Sequence, residues 1–384
     1  MTQNELLILD DIKGDMCRLG YLKILTQISK EKKRYRINLH TKLFYEYVTK
    51  DDSGKGKEAK IYFEKELQDN DRKLSDTGLI RSLKTAGSYL EFSHRLKIFN
   101  QKKEVFDENG QLYDKLLAGS LDENEDMTLI LQPSDKIFFL KILFDLDREI
   151  LRKFMKWAVK ECQNPVTRHK TMNHLMEEIY IPTAKEAPKN IKDLRKRQKL
   201  RLNLKKWEKY PAAREKYYRD KNPEKWNLHE GYAFYRHNGN PRLEWLVDLG
   251  FFEKIETSFK TSKYANAMSN VFEQESNILH ELGKVFYEDA SPATDVEIKK
   301  QILDSYYKFS NAGFTVVKKS ILFSLVCLEF FRENDANDDK KTVKIEDIEN
   351  VIENMKQESP KSVRYHRDSK GKLIYLVINV RDFN

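Results

Sequence analysis

The chain has 384 residues, which is enough for about two to four domains that each bury a core of their own. It contains only 14 Gly and 9 Pro, which argues against a collagen-like or low-complexity chain and against a β protein with many turns. Lys and Arg number 70 against 61 Asp and Glu, a formal net charge of +9, and 34% of the residues are charged. This composition is typical of a folded protein with long helices and a very polar surface.

The sequence also bears on the compartment of the protein. Cys17, Cys162 and Cys327 lie far apart and form no CxxC cluster, so they predict neither a disulfide framework nor a zinc ribbon. The N-terminal residues lack the charged and then apolar pattern of a signal peptide. The longest apolar stretch, 321–331, is interrupted by polar residues and is shorter than the roughly 18 residues of a membrane span. We therefore expect a cytoplasmic protein without a membrane partner.

The first segment, residues 1–119, combines helical and strand-like patterns. Apolar residues recur at helical spacing over 19–28 and 43–48, and a further short helix is predicted over 61–67. Short strand-like runs follow, with a turn predicted at Asn109-Gly110. Helices followed by short strands around a turn resemble a winged helix-turn-helix, so we predict an N-terminal winged-helix-like domain.

The second segment, residues 120–188, is predicted to be a helical hairpin and a connector. Ser134 is placed to cap the first helix through its hydroxyl group. The acidic stretch 145–147 is expected to begin the second helix. Pro182 and Pro188 then bracket a segment that we expect to be exposed, because residues before a proline disfavour helix.

The third segment, residues 189–268, begins with a concentration of positive charge. Between Lys189 and Lys225, fifteen Lys and Arg residues accompany only five acids, a net charge of +10 that leaves the rest of the chain near neutral. The pattern is helical, and Pro211 and Pro223 divide it into about three pieces.

The same segment continues into a second candidate winged helix. A short amphipathic helix is predicted from Asn240 and ended by Gly250, and a strand-like run follows as far as Ser262. About 25 residues in this order resemble the second helix and wing of winged-helix proteins. The resemblance implies that Arg242 and the loop 237–240 lie near a DNA-recognition element.

The fourth segment, residues 269–384, is predicted to hold helices that end in a β-hairpin. Thr294 and Glu297 have the spacing of a capping box, and a buried helix is expected over 321–331. Near the C-terminus, two strand-like runs surround a Gly-containing turn, which predicts a hairpin over 362–378.

Helix, helix and hairpin again resemble winged-helix order, and Arg364, Arg367 and Lys370 would lie on this wing. No strict repeat period is present, which excludes a solenoid. The predicted fold class is therefore mainly α with small β-hairpin wings, arranged as tandem winged-helix-like units around a helical middle.

The basic stretch is the most informative functional feature. Phosphate backbones bind rows of cations, and aromatic rings among those cations can stack on bases. The candidate contacts in this stretch are Arg195, Lys196, Arg197, Lys199, Arg201, Lys205, Lys206, Trp207, Arg214, Lys216, Tyr218 and Arg219. The same pattern also suits an acidic protein partner or a solvated helical face.

Sequence motifs give little support for an enzyme. The phosphate-binding, dinucleotide-binding, zinc-peptidase and hydrolase motifs that define common enzyme classes are missing, and no cofactor or metal is predicted. Glu297-Ile298-Lys299, with Asp289 upstream, is the nearest match to a metal-dependent nuclease site, although the capping box explains Glu297 better. His169 and His174 are five residues apart, a spacing that places them poorly on one helix face.

These patterns predict a nucleic-acid-binding protein that favours double-stranded DNA. We expect it to act as a recognition subunit of a larger plasmid-, phage- or defence-related complex. A Mg-dependent nuclease component and a scaffold that binds an acidic partner are the alternatives. Binding through residues 189–225, with wings adding backbone contacts, should weaken steeply as salt increases.

Overall fold

The computed structural model describes residues 9, 12–14, 16–30, 37–50, 80, 82–100, 105–117, 129–189, 191, 194–274, 277–311, 316–367, 369 and 373–383. The short helix predicted over 61–67 and the hairpin residue Lys370 lie outside this part of the chain.

Helices dominate the first half of the described chain, with short strands between them. The elements are α1 (Gly20–Lys30), α2 (Ile37–Lys50), α3 (Leu83–Arg95), β1 (Phe99–Asn100), β2 (Val105–Phe106), α4 (Glu108–Leu117), α5 (Pro133–Glu161), β3 (Val166–Thr167), α6 (Arg168–His174), a π-helix (Leu175–Tyr180), α7 (Ile181–Glu186) and a 3₁₀ turn (Ala187–Lys189).

The second half continues the pattern and contains both longer hairpins. The elements are α8 (Leu194–Trp207), α9 (Tyr210–Arg219), α10 (Pro223–Asn227), α11 (Glu230–Asp248), β4 (Phe252–Ile255), β5 (Ser258–Thr261), α12 (Ala265–Glu273), α13 (Ile278–Phe286), β6 (Ser291–Pro292), α14 (Asp295–Asn311), β7 (Val317–Lys318), α15 (Lys319–Ala336), β8 (Lys341–Thr342), α16 (Ile345–Glu358), β9 (Val363–Arg367), β10 (Leu373–Ile378) and a 3₁₀ turn (Val380–Asp382). The predicted fold class, mainly α with small β-hairpins, is confirmed.

The chain forms two compact units, each assembled from stretches that are distant in sequence. Unit 1 comprises Met1–Leu22, Ile37–Leu96 and Ile142–Glu273, and unit 2 comprises Lys23–Arg36, Lys97–Lys141 and Gln274–Asn384. Neither unit is one of the four consecutive segments expected from the sequence. Because α1 and α5 each supply residues to both units, breaks in the sequence pattern do not mark the unit boundaries.

Helix α11 directly follows the basic stretch and is largely buried in unit 1. It continues from Glu230 to Asp248 with Pro241 in its interior, and every residue from Asn238 to Leu246 is buried. The prediction of a loop at 237–240 is therefore wrong. Packing on all sides stabilises the helix and allows it to continue across Pro241. The predicted end at Gly250 is correct, since Gly250 follows α11 with φ 80°, a conformation that favours glycine.

Residues 182–188 differ from the exposed connector that was expected. Ile181, Thr183 and Ala184 of α7 are buried, and so are Ala187 and Pro188 of the 3₁₀ turn. Pro182 lies in the first turn of α7, which continues directly from the π-helix Leu175–Tyr180. The prolines therefore lie in helical turns here and do not mark an exposed linker.

Helix α15 forms the core of unit 2. All residues from Ile321 to Phe331 are buried, which confirms the buried helix predicted over 321–331. The capping box at the start of α14 is also present. The Thr294 backbone N–H donates to Glu297 Oε2 at 2.7 Å, and the Glu297 backbone N–H donates to Thr294 Oγ1 at 3.3 Å.

The prediction of a turn at Asn109-Gly110 is wrong, because both residues lie in α4. A Cβ atom at Gly110 would lie only 2.0 Å from the carbonyl oxygen of Ile98. Glycine is therefore required by the close approach of α4 to that carbonyl group and not by a turn. The adjacent β1 and β2 form an antiparallel pair of two residues each.

Both units contain a three-stranded antiparallel sheet with the same order. In unit 1 the order is β3-β5-β4, and in unit 2 it is β7-β10-β9. In each sheet the second strand of the hairpin is central, and it also pairs with a strand that precedes the helices. The strand-like run predicted as far as Ser262 contains the paired strands β4 and β5, and the hairpin predicted over 362–378 contains β9 and β10.

Candidate nucleic-acid interface

The basic stretch forms three helices, α8, α9 and α10, as its two prolines predicted. One face of α8 is turned inward because Leu200, Leu204 and Trp207 recur at helical spacing and are partly or fully buried. Trp207 stacks on Phe234 of α11, with ring centroids 4.6 Å apart. The predicted role of Trp207 in stacking on bases is therefore wrong, since its ring is 9% exposed and packs against the core.

Three of the predicted phosphate-binding cations have partners within the protein. Arg197 donates from Nε to the Ile191 carbonyl oxygen at 2.8 Å. Lys206 forms an ion pair with Glu230 at 2.5 Å, and both of these side chains are more than half exposed. Arg214 donates from Nε and Nη2 to the two carboxylate oxygens of Glu177, at 2.5 and 2.8 Å. Of these cations, Arg214 connects the basic stretch to the π-helix through two hydrogen bonds.

Other cations of the stretch lie exposed on the surface of α8 and α9. Arg201 and Lys205 on α8, and Lys216 and Arg219 on α9, are exposed and form no ion pair with another described residue. Arg195 and Lys199 are also exposed on α8, and Lys196 lies in the same helix. The predicted residue Tyr218 is 44% exposed on α9. Arg195, Lys199, Arg201, Lys205, Lys216 and Arg219 form the cationic face of α8 and α9.

Arg242 does not belong to this surface, and its predicted contact with nucleic acid is wrong. Its side chain is fully buried and forms two hydrogen bonds with Asp147, at 2.6 and 3.0 Å. It also donates to the carbonyl oxygens of Asn238 and Leu9, at 2.6 and 2.5 Å. A guanidinium group with these partners contributes to the core of unit 1.

The C-terminal hairpin places Arg364 and Arg367 on β9, and both are exposed. The guanidinium group of Arg367 lies 5.5 Å from the centre of the Tyr365 ring. The preceding helix, α16, contains five acids and a single basic residue, Lys356. A helix with this charge would be repelled by phosphate, so α16 is poorly suited to enter a DNA groove.

A polar cleft of about 500 Å³ lies beside α9 in unit 1. Residues from α5, β3, α6, the π-helix and α9 form its walls: Trp157, Glu161, Thr167, His169, Lys170, Asn173, His174, Glu177, Glu178, Arg214 and Tyr218. The π-helix brings the consecutive residues Glu177 and Glu178 to the same cleft. Such helices are rare and frequently occur at functional sites.

Aromatic stacking organises one wall of the cleft. The rings of Trp157 and His174 are stacked with centroids 3.9 Å apart and planes 14° from parallel. Burial lowers the pKa of His174, against the effect of Glu178 and the other nearby carboxylates. A neutral imidazole is therefore favoured beside the indole ring at neutral pH.

Hydrogen bonds hold the floor of the cleft and connect it to the basic stretch. Besides Arg214, Glu177 accepts a hydrogen bond from the Tyr235 hydroxyl group at 3.0 Å. Burial raises the pKa of this tyrosine, so it remains a neutral donor. The guanidinium group of Arg214 in turn lies 5.8 Å from the Tyr218 ring. Glu177 thus positions two side chains that line or support the cleft.

The sequence does not predict this cleft, because its walls come from elements far apart in the chain. The described residues contain no group of side chains arranged to hold a metal. The only sequence indication was the concentration of His and Glu over 169–178.

The nearest match to a nuclease site has a structural role. Glu297 accepts hydrogen bonds from the backbone and side chain of Thr294, and these hydrogen bonds lower its pKa. Its carboxylate also lies 3.7 Å from Lys341 Nζ. These contacts account for Glu297 as the cap of α14.

Comparisons with protein-family models, curated proteins and solved structures give no match for this chain. Among the described helices, none combines the length and the apolar content required to cross a bilayer. The geometry and charge of the surfaces described above are therefore the evidence for function.

Proposed function

We propose that the protein binds nucleic acid through the cationic face of α8 and α9. The observation that carries the proposal is a set of exposed cations, Arg201, Lys205, Lys216 and Arg219, that form no ion pair with another described residue. Arg195 and Lys199 extend the same face. Such cations release counterions when they bind phosphate, and this release is the main source of non-specific affinity.

The dimensions of α8 suit a phosphate backbone. Its 14 residues give a helix of about 21 Å at 1.5 Å per residue. Successive phosphates of one strand rise by about 3.4 Å along the axis of B-DNA, so a helix of this length lies beside about six of them. The tethered cations, Arg197 and Arg214, hold the helices in place while the exposed ones contact the backbone.

The mode of binding is contact with the backbone and not insertion of a helix into the major groove. Arg242 is buried, and α16 is acidic, so neither helix that precedes a long hairpin is suited to read bases. Arg364 and Arg367 on β9 would add phosphate contacts. The shared strand order of the two sheets supports a winged-helix interpretation of both units, which is part of the same proposal.

Membership of a larger complex and a cytoplasmic location also belong to this proposal. The location is supported by three buried cysteines that all remain free thiols, as is typical of a reducing compartment.

Fluorescence anisotropy with a labelled 25-base-pair duplex, and with either strand alone, tests the proposal over 50–300 mM salt. In the test variant, Arg201, Lys205, Lys216 and Arg219 are all replaced by Gln. We expect affinity to fall by more than about tenfold and the slope of log K against log salt to decrease by about 3 to 4. The melting temperature should change little, since all four side chains are exposed.

A matched variant controls for total charge. Lys84, Lys300, Lys361 and Arg381 are exposed and lie outside the basic stretch, and replacing them with Gln removes the same four charges. This variant should bind like the wild type. Equal weakening by both variants, or wild-type binding that is independent of salt, would refute the proposed interface.

A further inference from the structure

The cleft beside α9 has walls that suit a flat, polar, aromatic ligand. It is open to solvent, and its volume of about 500 Å³ is within the range of small-molecule sites. Trp157 lines one side with its indole ring, one face of which is stacked on His174, and Tyr218 presents a phenol ring from α9. Aromatic side chains of this kind stack on nucleobases, whatever the base, because every base has a π-face.

The polar groups of the cleft include both donors and acceptors: Lys170 and Arg214 only donate, whereas the carboxylates only accept. Glu161 and Glu178 are exposed to the cleft and form no hydrogen bond or ion pair with another described residue. A carboxylate can accept two hydrogen bonds from neighbouring N–H groups. Guanine offers such a pair on its Watson–Crick edge, through N1–H and the exocyclic amino group. Asn173, which also lines the cleft, can donate or accept.

The position of the cleft relates it to the cationic face. Arg214 and Tyr218 are four residues apart on α9, so they share the face that lines the cleft. Lys216 and Arg219 lie on the same helix and are exposed. A strand whose phosphates contact these cations would therefore lie within reach of the cleft with one of its bases.

We propose that this cleft binds one unpaired nucleobase, with guanine preferred, stacked against Tyr218 and the wall formed by Trp157 and His174, and held by the carboxylate of Glu178. This proposal rests on the proposed function, because the cationic face would bring the strand to the cleft. The cleft itself should also bind a free guanine nucleotide. A paired base is excluded because its Watson–Crick edge is already occupied. A base of a duplex must therefore leave the stack before it can enter the cleft.

Fluorine NMR of the full chain labelled with 5-fluorotryptophan tests the cleft directly. The chain contains four tryptophans, and Trp207, Trp226 and Trp245 are 9%, 1% and 0% exposed, whereas Trp157 is half-buried. The resonance missing from Trp157→Phe identifies Trp157. Titration with GMP should shift this resonance and leave the other three in place.

Ribose 5-phosphate is the control ligand, because it carries the sugar and phosphate of GMP without the base. It should leave the Trp157 resonance unshifted. If about 10 mM GMP shifts this resonance no more than ribose 5-phosphate does, the cleft does not bind the base and the proposal is wrong.

Two matched variants test the role of the carboxylate. Glu178→Gln keeps the size of the side chain but removes an acceptor, and it should weaken GMP binding by about tenfold or more. Glu224→Gln on α10 removes the same charge from an exposed position outside the cleft and should bind GMP as the wild type does. Equal affinity in the two variants would overturn the assignment of Glu178.

Oligonucleotides distinguish this proposal from the proposed function. A duplex with one bulged guanine should bind more tightly than the blunt duplex, and Trp157→Phe combined with Glu178→Gln should remove this difference only. If both duplexes bind equally in a salt-dependent manner, the cationic face is supported and the base site is refuted. If GMP shifts Trp157 but neither duplex binds, the cleft is a nucleotide site and the proposed function is refuted.

Discussion

Arg214 and Glu177 form a bidentate ion pair that joins α9 to the π-helix. The two hydrogen bonds are 2.5 and 2.8 Å long, and the side chains are 24% and 11% exposed. A cation in the middle of the basic stretch is therefore neutralised by the protein itself. The stretch has two kinds of cations, those that position the helices and those that remain exposed to a partner.

We expect this pair to contribute measurably to stability. In a double-mutant cycle with Arg214→Gln and Glu177→Gln, the coupling free energy should be about 1–2 kcal/mol, since charged bidentate hydrogen bonds are among the strong ones. Chemical denaturation of the four proteins measures it. The pair Lys206 and Glu230 provides the comparison, because both side chains are more than half exposed and their coupling should be too small to detect. Similar couplings for the two pairs would contradict this distinction.

The buried pair of Arg242 and Asp147 gives a second prediction. Both side chains are fully buried, so removing one leaves a charge without a partner in the core. We expect Arg242→Met or Asp147→Asn to lower the free energy of unfolding by about 3–5 kcal/mol. Thermal and urea unfolding measure this loss.

Two further variants sharpen that test. Arg236→Met changes an exposed arginine on the same helix and should alter stability by no more than about 0.5 kcal/mol. Arg242→Met combined with Asp147→Leu removes both charges and should be more stable than either single variant. A double variant as unstable as the sum of the singles would show that the pair does not act as a unit.

Local features of this fold were predictable from the sequence. The division of the basic stretch by Pro211 and Pro223, the capping box at Thr294 and the C-terminal hairpin all depend on residues a few positions apart. Propensity, capping and turn chemistry act over this range, and the pattern of apolar residues indicates which helix face is buried.

Contacts between residues far apart in the sequence determine the features that the sequence did not predict. Arg242 is buried because Asp147, 95 residues earlier, is placed to receive it, and Trp207 packs inward because Phe234 lies opposite. No local pattern distinguishes such residues from exposed ones with the same identity. The cleft could not be predicted for the same reason, since its walls come from several elements between Trp157 and Tyr218.

Two helical glycines in different surroundings lead to opposite predictions. A Cβ atom at Gly283 of α13 would lie 2.5 Å from ring atoms of Phe331, which is itself fully buried and stacked on Tyr287. We expect Gly283→Ala to destabilise the protein by about 1–3 kcal/mol through overpacking. At Gly87 of α3 the nearest atom to a new Cβ is 3.8 Å away, on Thr41. Gly87→Ala should therefore stabilise by about 0.4–1 kcal/mol, and thermal unfolding that gave the same sign for both variants would contradict the packing argument.

His280 in α13 predicts how stability depends on pH. The side chain is buried. This burial is the main cause that lowers the pKa of His280, and the positive charges of Lys284 and Lys344 lower it further. The negative charge of Glu281 acts in the opposite direction. The unfolded chain binds a proton here near pH 6.5, whereas the folded chain resists it, so acidification through this range favours unfolding. We expect the wild type to lose stability relative to His280→Gln between pH 7.5 and 5.5, by at most about 1.4 kcal/mol per pH unit. Urea unfolding of both proteins at several pH values measures this difference, and parallel curves would show that His280 does not titrate differently in the two states.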